Sequence, residues 1–146
     1  MSANVKIKGN RVTTEKSNLT AIEADLRDYP DLFPIVASLC SVADGTSRLT
    51  GLKRLRIKES DRLASMVLGL KEMGVKITKG QDAVSIIGDT PFGGVIDPHN
   101  DHRIAMSFAI LAHAAKNKTR IMNPECVSKS YPGFWEELKQ LGATLK

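Results

Sequence analysis

Residues 101–115, DHRIAMSFAILAHAA, restrict the possible folds more than any other stretch, because apolar side chains occupy nearly every side of the helix they predict. Ile104, Ala105, Met106, Phe108, Ala109, Ile110 and Leu111 can all be covered only if this helix lies centrally, with other layers packed around it. Two further helical repeats are one-sided. From Glu59 to Met73, the residues Leu63, Met66, Val67, Leu70 and Met73 form a single stripe that Gly74 stops. From Leu32 to Ala43, Phe33, Ile35, Val36, Leu39 and Cys40 keep helical spacing, with Asp31 as N-cap, Pro34 in the first turn and Asp44-Gly45 at the end.

Between these helices the period changes to two. Val5 to Lys8 and Leu19 to Ala24 predict short strands, separated by the turn at Gly9-Asn10 and a polar stretch. Thr46 to Leu52 predicts another. Val75 to Ile77 and Ala83 to Ile87 predict a pair joined through Gly80-Gln81-Asp82, and Gly93 to Asp97 a further strand. Thr119 to Met122, a helix from Gly133 to Leu141 and a last strand at Ala143 to Leu145 complete the pattern. The order helix, strand, helix, strand, strand runs from Leu32 to Ile87 and largely recurs from Asp101, as a repeat of pattern without repeat of sequence. The fold class is therefore α/β, and 146 residues without a linker or low-complexity segment suit one domain spanning residues 1–146.

Composition narrows the function classes. The net charge of +5, from 21 basic against 16 acidic residues, suits a small anion as well as it suits nucleic acid. Tyr29, Phe33, Phe92, Phe108, Tyr131, Phe134 and Trp135 are few and scattered, however, so a stacking platform is poorly supported and no nucleic-acid partner is expected. Cys40 and Cys126 have neither disulfide nor zinc spacing, which points to a reducing, cytoplasmic compartment and no metal. MSANVKIKGN lacks an apolar leader core and the longest apolar runs are too short for a bilayer, so no membrane partner is expected. The pair Gly93-Gly94 lacks the third glycine and the helix start of a dinucleotide fingerprint, and no P-loop occurs.

Chemistry concentrates at predicted helix starts. Lys58-Glu59-Ser60-Asp61-Arg62 sets a carboxylate between cations, with Glu59 and Arg62 three apart and Lys58 and Arg62 four apart on the first turn. A solvated salt-bridge face would explain this run, but Lys and Arg oppose the helix dipole at an N-terminus, a cost that a bound anion reverses. Asn100-Asp101-His102-Arg103 repeats the arrangement, with Asn100 or Asp101 as cap and His102 and Arg103 where a phosphate or carboxylate would dock. Lys129 stands in a Ser-Lys-Ser turn before a third helix, a position that solvation alone would also explain.

Three of these stretches together, Arg56-Ile57-Lys58-Glu59-Ser60-Asp61-Arg62, Asn100 to Met106 and Lys129-Ser130-Tyr131-Pro132-Gly133-Phe134, resemble 5-enolpyruvylshikimate-3-phosphate synthases in order and approximate spacing. Tyr29-Pro30-Asp31 extends the likeness upstream. The resemblance implies a repeated helix-on-sheet unit of the enolpyruvyl transferase inside-out barrel, about two units of it, and transfer of the enolpyruvyl group of phosphoenolpyruvate to the 5-hydroxyl of shikimate 3-phosphate without any cofactor. It further implies that Asp31 accepts the hydroxyl proton and Glu59 serves the methylene carbon as acid and base. Lys58 would contact shikimate beside Asp31, while Arg62, Arg103 and Lys129 clamp phosphoenolpyruvate.

Members of that family are roughly three times this long, beyond the usual size of one domain, so the chain resembles only a C-terminal portion. The resemblance then implies that it is inactive alone and is partnered by an N-terminal portion, or by a second copy over the uncovered face. Arg54 replaces an amide that some relatives carry and is assigned no substrate role. Two other readings are open at this point: a stand-alone module binding anions or nucleic acid, and the sister enzyme acting on UDP-N-acetylglucosamine, which the Lys58 to Arg62 motif resembles less.

Overall fold

The computed structural model describes residues 1–57 and 60–146. A hairpin comes first, β1 (Asn4–Lys8) against β2 (Arg11–Glu15), followed by β3 (Glu23–Asp25), α1 (Phe33–Cys40), β4 (Thr46–Thr50), α2 (Arg62–Glu72), β5 (Lys76–Lys79) and β6 (Ala83–Ile87). The second part holds β7 (Val95–Ile96), α3 (His102–Ala112), β8 (Arg120–Ile121) and α4 (Phe134–Gln140). Short 3₁₀ turns cover Pro30–Leu32, Lys53–Ile57 and Pro124–Lys129.

The expected α/β class holds, and the repeat is visible in the pairing. β3 lies parallel to β4 with α1 as the crossover; β6 then pairs antiparallel with both β4 and β5, giving the order β3-β4-β6-β5. β7 and β8 are again parallel, with α3 as their crossover. One full strand-helix-strand-helix-hairpin unit is thus followed by a partial one.

One sheet face and three helices enclose the main core. Leu49 of β4, Val84 and Ile86 of β6 and Ile77 of β5 point inward at alternate positions, against Phe33 and Ala37 of α1, Leu63, Met66 and Leu70 of α2, and Ile104 and Phe108 of α3. The other flank of α3, Ala105 and Ala109, packs on Cys126, Val127, Phe134 and Leu138. Holding two clusters apart makes α3 the central helix that its composition predicts. Ile110 is the exception, exposed to solvent, and Met106 is only half-buried.

Several boundaries differ from expectation, each for a local reason. Arg11–Glu15, read as polar connection, is a strand, since Val12, Thr13 and Thr14 favour extended backbone and Gly9 turns with φ +57°. The strand predicted at Leu19 to Ala24 contracts to Glu23–Asp25, with Thr20 left as an isolated bridge to Asp44. Helix α1 starts at Phe33 and stops at Cys40; Leu32 precedes it with no side-chain cap, so Asp31 is not an N-cap. Helix α2 starts at Arg62, with Ser60 and Asp61 outside it, because the Asp61 carboxylate accepts from Ala64 N at 2.9 Å and fixes the boundary, while Glu59, the expected start, lies outside the described residues. Lys129, expected in a loop, ends a 3₁₀ turn. Ala143 to Leu145 is no strand: Gly142 at φ +100° closes α4 with Gly142 N to Lys139 O and Ala143 N to Leu138 O, a Schellman ending that directs the chain back onto the second cluster.

Among the described residues no helix is long and apolar enough to cross a membrane.

The α2–α3 contact depends on a missing side chain. A Cβ on Gly69 would stand 2.4 Å from Cζ of Phe108, itself wholly buried. Gly69→Ala is expected to destabilise the fold by about 1–3 kcal/mol through forced displacement of that ring, despite alanine's better helix propensity, as read by urea unfolding.

Candidate functional site

The first helical residue of α2 is a wholly buried arginine. Arg62 gains nothing from the dipole there, yet its guanidinium meets carboxylates on two sides: Nε donates to Asp101 Oδ2 at 2.8 Å and Nη1 to Asp31 Oδ1 at 2.7 Å. Such short charge-assisted bonds offset the cost of taking the cation out of water. The solvated salt-bridge face that would explain Arg62 in the sequence is therefore excluded by its burial.

Asp101 is the N-cap of α3. Its Oδ1 accepts from Arg103 N at 3.0 Å and Ile104 N at 3.4 Å, and Ser60 Oγ lies 3.4 Å from Oδ2. Two left-handed residues lead into it, His99 at φ 49° and Asn100 at φ 60°, and Asp97 Oδ1 secures the turn by accepting from His99 N at 2.8 Å. This turn points Arg103 towards the start of α1, where its Nη2 reaches Asp31 Oδ2 at 3.3 Å.

Asp31 thus faces two guanidiniums with its two oxygens. Being in the Pro30–Leu32 turn, it is released from any capping duty and its side chain is 45% accessible, so a ligand can reach it. Lys129 reaches the turn that precedes α3 instead, donating from Nζ to Asn100 O at 3.4 Å while staying exposed. Asp31, Arg62 and Arg103 accordingly come together as the sequence predicts, and Lys129 stands at their margin. Lys58 and Glu59 lie outside the described residues. His102 is half-buried next to Arg103 and has no ion pair among the described residues.

Asp101 is the part of the site that sequence reading assigned only to capping. The missed signal is the burial of Arg62, since an arginine inside an apolar stripe requires a carboxylate from another element, and the second helix start supplies it.

Of these groups Arg103 and Asp31 are the partly accessible ones, a guanidinium of the kind that binds an anion beside a carboxylate of the kind that accepts a proton. Burial pushes the pKa of the Cys126 thiol up against the lowering effect of Lys129. Among the described residues no group of three His, Cys, Asp or Glu could hold a metal ion.

Comparison with known proteins agrees across sequence and structure. The family model described as EPSP synthase (3-phosphoshikimate 1-carboxyvinyltransferase) matches residues 1–138. The 3-phosphoshikimate 1-carboxyvinyltransferase of Dehalococcoides mccartyi is 44% identical over 142 residues, covering 97% of this chain and 34% of the relative, and that of Pyrococcus abyssi is 41% identical over 139 residues, covering 95% and 34%. An EPSP synthase structure from Acinetobacter baumannii superposes with a TM-score of 0.92 at 32% identity, covering all of this chain and 38% of that one. The enolpyruvyl transferase NikO from Streptomyces tendae shares the fold, with a TM-score of 0.81 at 20% identity, over all of this chain and 34% of that one. The chain therefore spans about a third of the length of the curated relatives it matches.

The buried arginine gives the site a stability signature. Arg62→Met removes the cation and leaves the wholly buried Asp101 carboxylate without its guanidinium, and a loss of roughly 3–5 kcal/mol is expected by urea unfolding. A loss below about 1 kcal/mol would mean that the pair is not formed in solution.

Proposed function

Because the chain belongs to the EPSP synthase family, we propose that residues 1–146 form one domain of a cytoplasmic 3-phosphoshikimate 1-carboxyvinyltransferase. Its reaction moves the enolpyruvyl group of phosphoenolpyruvate to the 5-hydroxyl of shikimate 3-phosphate and releases phosphate. The observation that carries this reading is the convergence of Arg62 and Arg103 on the accessible Asp31 carboxylate.

Each role follows from what the side chain can do where it stands. Asp31 accepts the proton of the 5-hydroxyl, whose oxygen bonds to the enol carbon of phosphoenolpyruvate as Glu59 gives a proton to the methylene carbon. Removal of a proton from the resulting methyl group then expels phosphate and restores the double bond. Arg62, Arg103 and Lys129 bind the carboxylate and phosphate, and their charge offsets the negative charge that grows on the departing phosphate. Lys58 holds the shikimate hydroxyl near Asp31. The places of Lys58 and Glu59 rest on the Lys58 to Arg62 motif, since both lie outside the described residues.

Asp31 is held by the very groups that would bind the incoming anion. The ligand's carboxylate or phosphate competes with Asp31 for N–H groups of Arg62 and Arg103.

Since the chain spans about a third of its relatives, catalysis calls for the remaining portion. The test supplies that portion from the Dehalococcoides mccartyi relative and follows phosphate release from phosphoenolpyruvate. Release that depends on shikimate 3-phosphate, and that falls about 10²–10⁴-fold in Asp31→Asn, supports the reading. Release in neither the natural sequence nor the variant, from a complex shown to assemble, contradicts it.

A further inference from the structure

We propose that Asp101 is the positioning residue of this site: one sealed carboxylate orients the Arg62 guanidinium and the start of α3 together, so that Arg62 and Arg103 serve the same anion.

The division of labour between its two oxygens carries the inference. Oδ1 takes the backbone N–H groups of Arg103 and Ile104, at 3.0 and 3.4 Å, which sets the direction in which Arg103 leaves α3. Oδ2 takes Arg62 Nε at 2.8 Å, with Ser60 Oγ at 3.4 Å. An arginine held by Nε cannot rotate about its long axis, and its Nη edge is thereby turned towards Asp31. A cap alone needs one oxygen and no charge, and serine or asparagine would supply it. The second oxygen and the buried charge are explained by the arginine.

Burial separates Asp101 from Asp31. Asp31 is 45% accessible, so ligand oxygens can compete with it for the guanidiniums, whereas Asp101 is wholly buried against Arg62. The turn before Asp101 is built for placement rather than ease, with two non-glycine residues at positive φ held by Asp97 and by Asp101 N donating to Pro98 O at 2.9 Å.

The role rests on the proposed function only for the identity of the anion, and the experiment separates the two. ¹⁵N NMR of arginine Nε–H groups in this chain is expected to show Arg62 exchanging with solvent at least a hundredfold more slowly than the exposed Arg11, and keeping that protection on addition of inorganic phosphate. In Asp101→Asn the amide oxygen can still cap α3, but the charge facing Nε is gone. Amide signals of α3 are expected to persist while Arg62 Nε protection falls towards that of Arg11 and phosphate binding weakens at least tenfold. If the variant does not fold, or the chain holds phosphate too weakly to titrate, the Nε exchange in the natural sequence decides. Exchange as fast as Arg11, or a folded Asp101→Asn with unchanged Nε protection and phosphate affinity, overturns the proposal. Protected Nε with no preference for phosphoenolpyruvate over phosphate supports the role of Asp101 and counts against the substrate reading.

Discussion

A guanidinium shut away from water between two carboxylates is the constraint from which the rest of this site follows. Arg62 is wholly buried, and so is Asp101, its partner at 2.8 Å. Ions so placed are tolerated only when their bonds are short and their remaining hydrogen-bonding groups are occupied, and Asp101 meets the condition by capping α3 with its other oxygen. The pair thereby locks two helix starts to each other, a form of specificity that apolar packing, which tolerates sliding, does not provide.

The fold brings a third helix start to the same place. Each of α1, α2 and α3 follows a strand, and Asp31, Arg62 and Asp101 stand at or just before their first turns. Chain ends of this kind already expose N–H groups and partial positive charge. The Arg62 and Arg103 side chains raise the local positive potential further, and the two aspartates offset it. Packing fixes the geometry from beneath: Phe108 of α3 fills the space left by Gly69 of α2, so the helices approach closely along their length.

Much of the architecture was readable in the sequence because its signals are physical. The crowding of apolar residues from Ile104 to Leu111 placed α3 at the centre, and the switch from period 3.6 to period 2 located most strands. Edges were harder, since they hang on single hydrogen bonds. Asp61 set the start of α2 by bonding Ala64 N, which a repeat of apolar residues cannot reveal, and Gly142 turned Ala143 to Leu145 away from a strand that their composition permitted. Of the site, residue types and spacing pointed to cations at helix starts, and the structure brought Asp31, Arg62 and Arg103 together. What could not be read was which oxygen faces which nitrogen. The capping role expected of Asp31 was wrong for that reason, and the double duty of Asp101 was invisible, because both depend on contacts between residues about 30 to 40 positions apart, beyond the reach of helical periodicity.

The most direct measurement is a double-mutant cycle on Arg62 and Asp101, comparing Arg62→Met, Asp101→Asn and the pair by urea unfolding. If the buried pair organises the site, the double variant loses much less than the sum of the single ones, with a coupling of at least about 1.5 kcal/mol. Losses that simply add, within about 0.5 kcal/mol, would mean that the two side chains do not hold each other, and the account of how the helix starts are joined would fail.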